Sequence, residues 1–366
     1  MNTPQKTDSE QIEGLGKDED ASLGDYPIDT LLIRNESRTV FDVLRRIEKN
    51  TFVMAPEFQR DFIWSEDQQS KLIESVLMRI PLPVFYLAED AQGKMWVVDG
   101  LQRFSTFQRF VNNELQLKLP HQSALNKKRF KELTPKLQNR VEDCNLILYV
   151  IDAKVPERAR LDIFERVNGG EPLTRQQMRN CLYMGQATRF LKTAATAELF
   201  IQATGNSLQT KPMQDREFVN RFCAFMLLPL DDYRGDMDDF LADGLKKMNQ
   251  LTAGNLEALS NQLNLCLTNN LHVFGKHAFR RHTEGQNDRG VLNASLWDVM
   301  STGLSRYPEH VVEVRATALR QAFYSLMGDD EFVKAIALGT SATKKVKLRF
   351  EKATAMFKGV FDDFTD

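Results

Sequence analysis

The chain has 366 residues, of which 42% are hydrophobic and 27% charged, so it can bury a sizeable core and two domains are expected. Its formal net charge of −2 excludes a surface that is basic throughout, although a local basic groove stays compatible with it. The four cysteines lack the short spacing of a metal knuckle or a redox pair, and no apolar run is long enough for a signal peptide or a membrane span. We therefore expect a cytoplasmic protein with reduced cysteines, without a metal site of its own and without membrane contact.

The first 155 residues mix helical and strand patterns after a polar start. Residues 1–24 are rich in acidic and small residues and are predicted to form a disordered tail. Residues 25–155 are typical of a small α/β domain. The predicted elements, in chain order, are an extended segment at 26–33, a helix at 39–49 capped by Ser37, a strand at 51–55, a helix opened by Ser65, a hairpin of strands 84–87 and 95–98, a helix at 101–112 and a strand at 146–151.

From residue 156 onward, strand patterns almost vanish and helical periodicity dominates. Helices are predicted at 158–167, 174–184, 187–195, 215–228, 237–248, 255–271, 293–304, 309–326, 330–336 and 341–360. The predicted fold class is therefore α+β, with a small α/β domain at 25–155 and a mostly helical domain at 156–366.

The segment from Val97 to Thr106 carries the clearest chemical signal. An apolar strand ends at Asp99, Gly100 permits a tight turn, and a helix begins at once. The first backbone N–H groups of a helix lack partners and, with the helix dipole, favour an anion such as a phosphate. Arg103 suits a bidentate phosphate contact, and Asp99 could hold a divalent cation, position a water or cap the helix. A purely structural alternative makes Asp99 an N-cap and Arg103 a surface ion pair.

Two further clusters flank this segment in the sequence. Pro56–Trp64 alternates polar and aromatic residues between a strand and a helix cap, and Phe164–Thr174 contains a helix stop at Asn168-Gly169-Gly170. Each cluster also has a structural interpretation, as aromatic core anchors in the first case and as helix punctuation in the second.

These three segments occur in the order and with the spacing of one family. The chain resembles the GmrSD-type DNA endonuclease N-terminal domain family, which is marked by the patterns P-x-[YF]-Q-R-x-[YF]-x-W, D-G-Q-Q-R and F-x-R-x-N-x-x-G-x-x-L. Here the patterns correspond to Pro56–Trp64, Asp99–Arg103 and, more loosely, Phe164–Leu173. Further similarity lies in 178–180, 215–221, 274–280 and 339–341, so the resemblance covers about residues 28–350.

The resemblance implies a ParB/sulfiredoxin-like α/β domain followed by a helical region, in a bacterial system that restricts phage DNA. It implies nucleotide binding, often nucleotide hydrolysis, with catalytic roles for Asp99, Gln102 and Arg103. The residues expected to bind the phosphates of a nucleoside triphosphate with Mg²⁺ are Gln59, Arg60, Gly100, Ser105, Thr106, Arg166 and Asn168. The implied partners are DNA and a separately encoded effector or nuclease, and homo-oligomerisation is left open.

Two positions depart from the family pattern, and we expect no His-Asn-His nuclease domain in these 366 residues. Leu101 replaces the first Gln of the central motif, and Gln177 stands where a Glu usually follows the third motif. The five histidines do not form the His-Asn-His arrangement of a metal nuclease. These departures favour an alternative function, a non-catalytic DNA-binding or antitoxin-like module that controls a separate effector. A DNA nickase acting through the N-terminal domain is a further alternative.

Two basic clusters could contact a nucleic-acid backbone through charge alone. The residues concerned are Lys276, Arg280, Arg281, Lys344, Lys345 and Lys347. The alternative for both clusters is a solvated helix face or helix end.

Overall fold

A computed structural model of the chain describes residues 12–14, 33–54, 64–90, 92–155, 159–160, 163, 174–210, 212–337 and 339–362. The chain divides into two compact units, one of residues 25–173 and one of residues 174–366 together with residues 1–24. The boundary suggested by the sequence, after residue 155, precedes this division.

The N-terminal unit is built on a five-stranded sheet with the order β1-β5-β3-β4-β2. Strands β3 and β4 form the predicted antiparallel hairpin, β1 pairs antiparallel with β5, and the pairs β2–β4 and β3–β5 are parallel. The elements are β1 (Ile33–Thr39), α1 (Val40–Glu48), β2 (Phe52–Val53), α2 (Glu66–Leu77), β3 (Phe85–Glu89), β4 (Met95–Asp99), α3 (Leu101–Val111), α4 (Pro135–Glu142) and β5 (Asn145–Ile151).

Local chemistry explains where the first helices start. Ser65 caps α2 and forms a capping box with Gln68, as the sequence predicted. The prediction that Ser37 caps the first helix is wrong, because Ser37 lies in β1 opposite Ile147. Thr39 caps α1 instead, with its hydroxyl accepting a hydrogen bond from the Asp42 N–H.

The core of this unit lies between helices and sheet. Phe104, Phe107 and Phe110 recur at helical spacing along α3 and are fully buried, together with Leu87 of β3 and Leu148 of β5. This apolar face fixes the rotation of α3 about its axis. The first turn of α3 therefore lies at the end of the sheet where β4 ends and its antiparallel neighbour β3 begins.

The second unit is helical in its described residues from 174 onward. Its helices are α5 (Arg175–Leu182), α6 (Gln186–Ala195), α7 (Glu198–Thr204), α8 (Gln214–Leu227), α9 (Met237–Met248), α10 (Ala253–Phe274), α11 (Ala294–Leu304), α12 (Glu309–Met327), α13 (Asp330–Ala337) and α14 (Thr343–Phe361). Trp297 of α11 is fully buried at the centre of the core, and its Nε1–H donates to the Phe218 carbonyl at 2.7 Å. The predicted α+β fold class is thus confirmed.

The expectation of a disordered tail over residues 1–24 is wrong for residues 12–14. The Glu13 N–H donates to the Leu292 carbonyl and the Ala294 N–H donates to the Glu13 carbonyl, each at 2.9 Å. Ile12 also packs against the core of the helical unit. These backbone hydrogen bonds and the packing of Ile12 hold residues 12–14 in place. The composition of the segment does not predict them, because the partners lie far away in the sequence.

None of the helices in the described part of the chain is long and apolar enough to cross a membrane.

Candidate functional site

The turn between β4 and α3 requires a glycine. Gly100 has a φ of 104°, in the left-handed region, and it is the N-cap residue of α3. A Cβ at this position would lie 2.3 Å from Cδ1 of Phe85, far inside van der Waals contact. The glycine therefore lets the chain reverse directly over the Phe85 ring and brings the start of α3 beside the end of β4.

The start of α3 has the chemistry that favours an anion. Gly100 offers no side-chain cap, and the first turn of the helix contains no acidic residue. In a helix of 11 residues the first N–H groups have no intrahelical acceptor, so they and the helix dipole favour negative charge here. Asp99 stands beside them with 35% of its side chain exposed.

The Arg103 guanidinium forms its hydrogen bonds within the protein. Its Nη2 donates to Oδ2 of Asp99 at 2.6 Å and to the Val84 carbonyl at 3.0 Å, and its Nη1 donates to the Pro83 carbonyl at 2.5 Å. The guanidinium also stacks over the Phe85 ring, 4.1 Å from its centroid. Arg103 is therefore a positioning residue, which fixes the Asp99 carboxylate and ties the first turn of α3 to the start of β3.

Burial lowers the pKa of Arg103 below its usual value, and the neighbouring Asp99 carboxylate offsets part of this effect. Arginine nevertheless stays charged at any physiological pH. The ion pair thus holds the Arg103 guanidinium in a fixed position against one oxygen of the Asp99 carboxylate. Oδ1 of Asp99 has no hydrogen-bond partner among the residues that the structure describes, so it can accept a bond from a ligand or water.

The other residues predicted for this site fall into three groups. Gln102 is half-buried in the first turn of α3. Thr106 is fully buried and its hydroxyl donates to the Gln102 carbonyl at 2.7 Å, so the predicted phosphate contact of Thr106 is wrong; Ser105 is also buried. Four predicted residues lie outside the described residues, namely Gln59, Arg60, Arg166 and Asn168.

Both residues that depart from the family pattern have contacts in the structure. Leu101 packs against the core of the N-terminal unit, which an amide would do poorly. Gln177 completes the capping box of α5, where its Oε1 accepts the Thr174 N–H at 2.7 Å.

The helical unit contains a network of buried ion pairs that the sequence did not predict. Asp298 of α11 accepts two hydrogen bonds from Arg221, at 2.8 and 2.7 Å, and one from Arg349, at 2.8 Å. Glu217 lies 3.6 Å from Arg179 and 4.0 Å from Arg221, and burial raises the pKa of its carboxyl. Sequence similarity singled out Arg179, Glu217 and Arg221, but not the aspartate that joins α8 to α14, because that partner is distant in the chain.

The two predicted basic clusters differ in accessibility. The expectation that Arg280 contacts a nucleic acid is wrong, because Arg280 is 1% exposed and donates to the carbonyls of Ala278 and Thr204 and to Ser207 Oγ. Arg281 is exposed but forms an ion pair with Glu13. In the other cluster, at the start of α14, Lys347 pairs with Asp231. Lys276 and Lys344 are exposed and Lys345 is half-buried.

In the described ranges, no three His, Cys, Asp or Glu side chains lie close enough together to hold a metal ion. Asp99 is the carboxylate at the junction. Mg²⁺ commonly binds proteins through one or two carboxylates and takes its other ligands from phosphates and water, so a single Asp fits a metal that arrives with a nucleotide.

The fold and the site define an α/β domain with an anion-favouring strand-to-helix junction, followed in the chain by helices. Residues 40–184 match the profile of the family described as the GmrSD restriction endonuclease, N-terminal domain. This match confirms the resemblance for residues 40–184 and indicates a role in bacterial restriction and defence. Neither a curated protein nor a solved structure matches the chain.

Proposed function

We propose that the β4–α3 junction binds the phosphates of a nucleoside triphosphate with Mg²⁺, in a defence protein that acts on or senses DNA. The observation that carries this proposal is the uncapped start of α3 beside the Asp99 carboxylate. Backbone N–H groups there would bind phosphate oxygens, and Asp99 would hold Mg²⁺ or orient the attacking water. Gln102 is proposed to contact the same phosphates. A direct phosphate contact by Arg103 stays a prediction, since its guanidinium here serves Asp99.

Ligand binding can be tested by thermal unfolding with each nucleoside triphosphate, with and without Mg²⁺. A ligand at about a hundred times its Kd stabilises the folded state by about 2.7 kcal/mol, which raises Tm by several degrees. We expect Asp99→Asn to remove the Mg²⁺-dependent part of this rise, because an amide is a poor ligand for Mg²⁺.

The matched control is Asp67→Asn, which removes an exposed carboxylate from the first turn of α2 in the same unit. It should keep the full rise in Tm. Because Asp99→Asn also weakens the bond to Arg103, Gln102→Ala is the second variant, outside that ion pair. Equal Tm rises in the wild type and both site variants would contradict a nucleotide site at this junction.

Binding without turnover is the second candidate function. It is favoured by Leu101, which packs into the core where the family motif supplies an amide, and by the Arg103 guanidinium turned toward protein carbonyls. The chain would then act as a DNA-binding or antitoxin-like module that controls a separately encoded effector. Release of inorganic phosphate by the wild type, and its loss in Asp99→Asn, would exclude this candidate. Salt-sensitive DNA binding and a co-purified partner, without phosphate release, would support it.

A further inference from the structure

Glu13 occupies a convergent set of hydrogen-bond donors on the helical unit. Arg281 Nη1 donates to Oε1 of Glu13 at 2.8 Å, and Asn293 Nδ2 donates to Oε2 at 3.0 Å. The Ala294 N–H donates to the Glu13 backbone carbonyl at 2.9 Å. One cation, one amide and one backbone N–H thus surround a single acidic residue that is remote in the sequence.

This donor set lies at the start of α11. Asn293 is the N-cap of that 11-residue helix and its Oδ1 accepts the Leu296 N–H, so its side-chain NH₂ group points away from the helix toward Glu13. The partial positive charge of the helix start adds to the charge of Arg281. The location therefore favours an anionic oxygen group, and the Glu13 carboxylate is the group now present.

A second observation independently indicates a ligand. Ser295, in the first turn of α11, is fully buried, and its hydroxyl has no hydrogen-bond partner in the described part of the chain. That hydroxyl lies 3.6 Å from the position that a Cβ on Gly14 would take, so it faces the docked segment. A buried hydroxyl left without a partner is unfavourable, and a ligand with more acceptor atoms than a carboxylate could bind it.

We propose that Arg281, Asn293, Ser295 and the start of α11 form a phosphate-binding site, which Glu13 keeps closed. The tetrahedral phosphate group offers more oxygen acceptors and more charge than a carboxylate, so it can accept from Arg281 and Asn293 and also from Ser295. The ligand displaces residues 12–14, which belong to a start of the chain with six carboxylates and two lysines in residues 1–24. This site lies in the helical unit and goes beyond the nucleotide site proposed at β4–α3.

The test uses the full-length chain with Glu13→Gln, which keeps the size of the side chain and removes its charge. Binding of inorganic phosphate, AMP and a single-stranded DNA oligonucleotide is measured by calorimetry and, for the DNA, by fluorescence anisotropy at fixed salt. We expect the affinity for phosphate groups to rise about tenfold, equivalent to about 1.4 kcal/mol. The reason is that the side chain that competes with phosphate for Arg281 and Asn293 no longer carries a negative charge. Adding Arg281→Ala should abolish the gain.

The three probes distinguish the sources of the phosphate group. A gain shared by all three assigns the site to phosphate in general, and a gain confined to DNA assigns it to the phosphodiester backbone. Asp243→Asn, at an exposed pair with Lys246 in the same unit, is the charge-matched control and should give no gain. The gain caused by Glu13→Gln should be the same with and without Asp99→Asn, so a failure here is distinguishable from a failure at the β4–α3 junction.

Wild-type protein provides a readout that does not depend on the folding of a variant. Saturating phosphate should speed hydrogen exchange of the Glu13 amide, because displacement breaks its bond to the Leu292 carbonyl. The proposal is overturned if exchange of this amide is unchanged and Glu13→Gln binds all three probes as the wild type does. It is equally overturned if Arg281→Ala leaves the gain intact.

Discussion

Replacing Asp298 by Ala is expected to lower the free energy of unfolding of the helical unit by about 4 kcal/mol or more. Asp298 is fully buried, and its carboxylate is the shared acceptor of Arg221 and Arg349, whose side chains are 4% and 0% exposed. Removing it leaves two guanidinium groups without this counter-ion in a region that excludes water. Breaking one side of a buried ion pair typically costs about 3–5 kcal/mol, and here one residue serves two arginines.

The measurement is urea unfolding followed by tryptophan fluorescence. The chain has three tryptophans, and the variant Trp64→Phe/Trp96→Phe leaves Trp297, which lies in the core of the helical unit, as the reporter. Asp298→Asn should also cost about 3 kcal/mol or more, because the neutral amide leaves both guanidinium groups without a counter-charge and its NH₂ group cannot accept a hydrogen bond from them. Asp243→Ala, at an exposed pair with Lys246, should change stability little. A loss below about 1 kcal/mol for Asp298→Ala would contradict the stabilising role assigned to this network.

Gly100→Ala is expected to destabilise the N-terminal unit by about 3 kcal/mol and to disorder the β4–α3 junction. Two effects add. An alanine at φ 104° pays the strain of the left-handed region, and its Cβ meets the Phe85 ring at 2.3 Å. The ring cannot retreat easily, because Phe85 is fully buried and stacks on Phe104 with 4.4 Å between the centroids.

Gly93→Ala is the matched control, since it separates the two effects. Gly93 also has a positive φ, 77°, but the nearest atom to a Cβ there is 4.0 Å away. This variant should be destabilised by the backbone strain alone, by about 1 kcal/mol. Hydrogen exchange of the β3 and β4 amides reports both variants within the same unit. Equal losses for the two variants would show that close packing on Phe85 contributes nothing.

The sequence by itself determined the elements that carry local signals. The hairpin of β3 and β4 follows from two apolar runs around a glycine-containing turn, and the start of α2 follows from the Ser65–Gln68 capping box. The strand-Asp-Gly-helix junction at 99–101 was also predictable, because the strand pattern, the glycine and the helical period adjoin one another. The same motifs supported the resemblance to the family, since motif order is a property of the chain alone.

Only the tertiary structure decided which side chains meet across long sequence separations. It turned Arg103 toward the Pro83 and Val84 carbonyls, and it buried Arg280 against Thr204. It likewise joined Asp298 to Arg221 and Arg349, and Glu13 to Arg281. A charged residue in a sequence pattern is equally compatible with solvent, a ligand or a distant partner. The choice depends on burial, because a charge removed from water must find a counter-charge or hydrogen bonds, and only the packed fold determines which charges are removed.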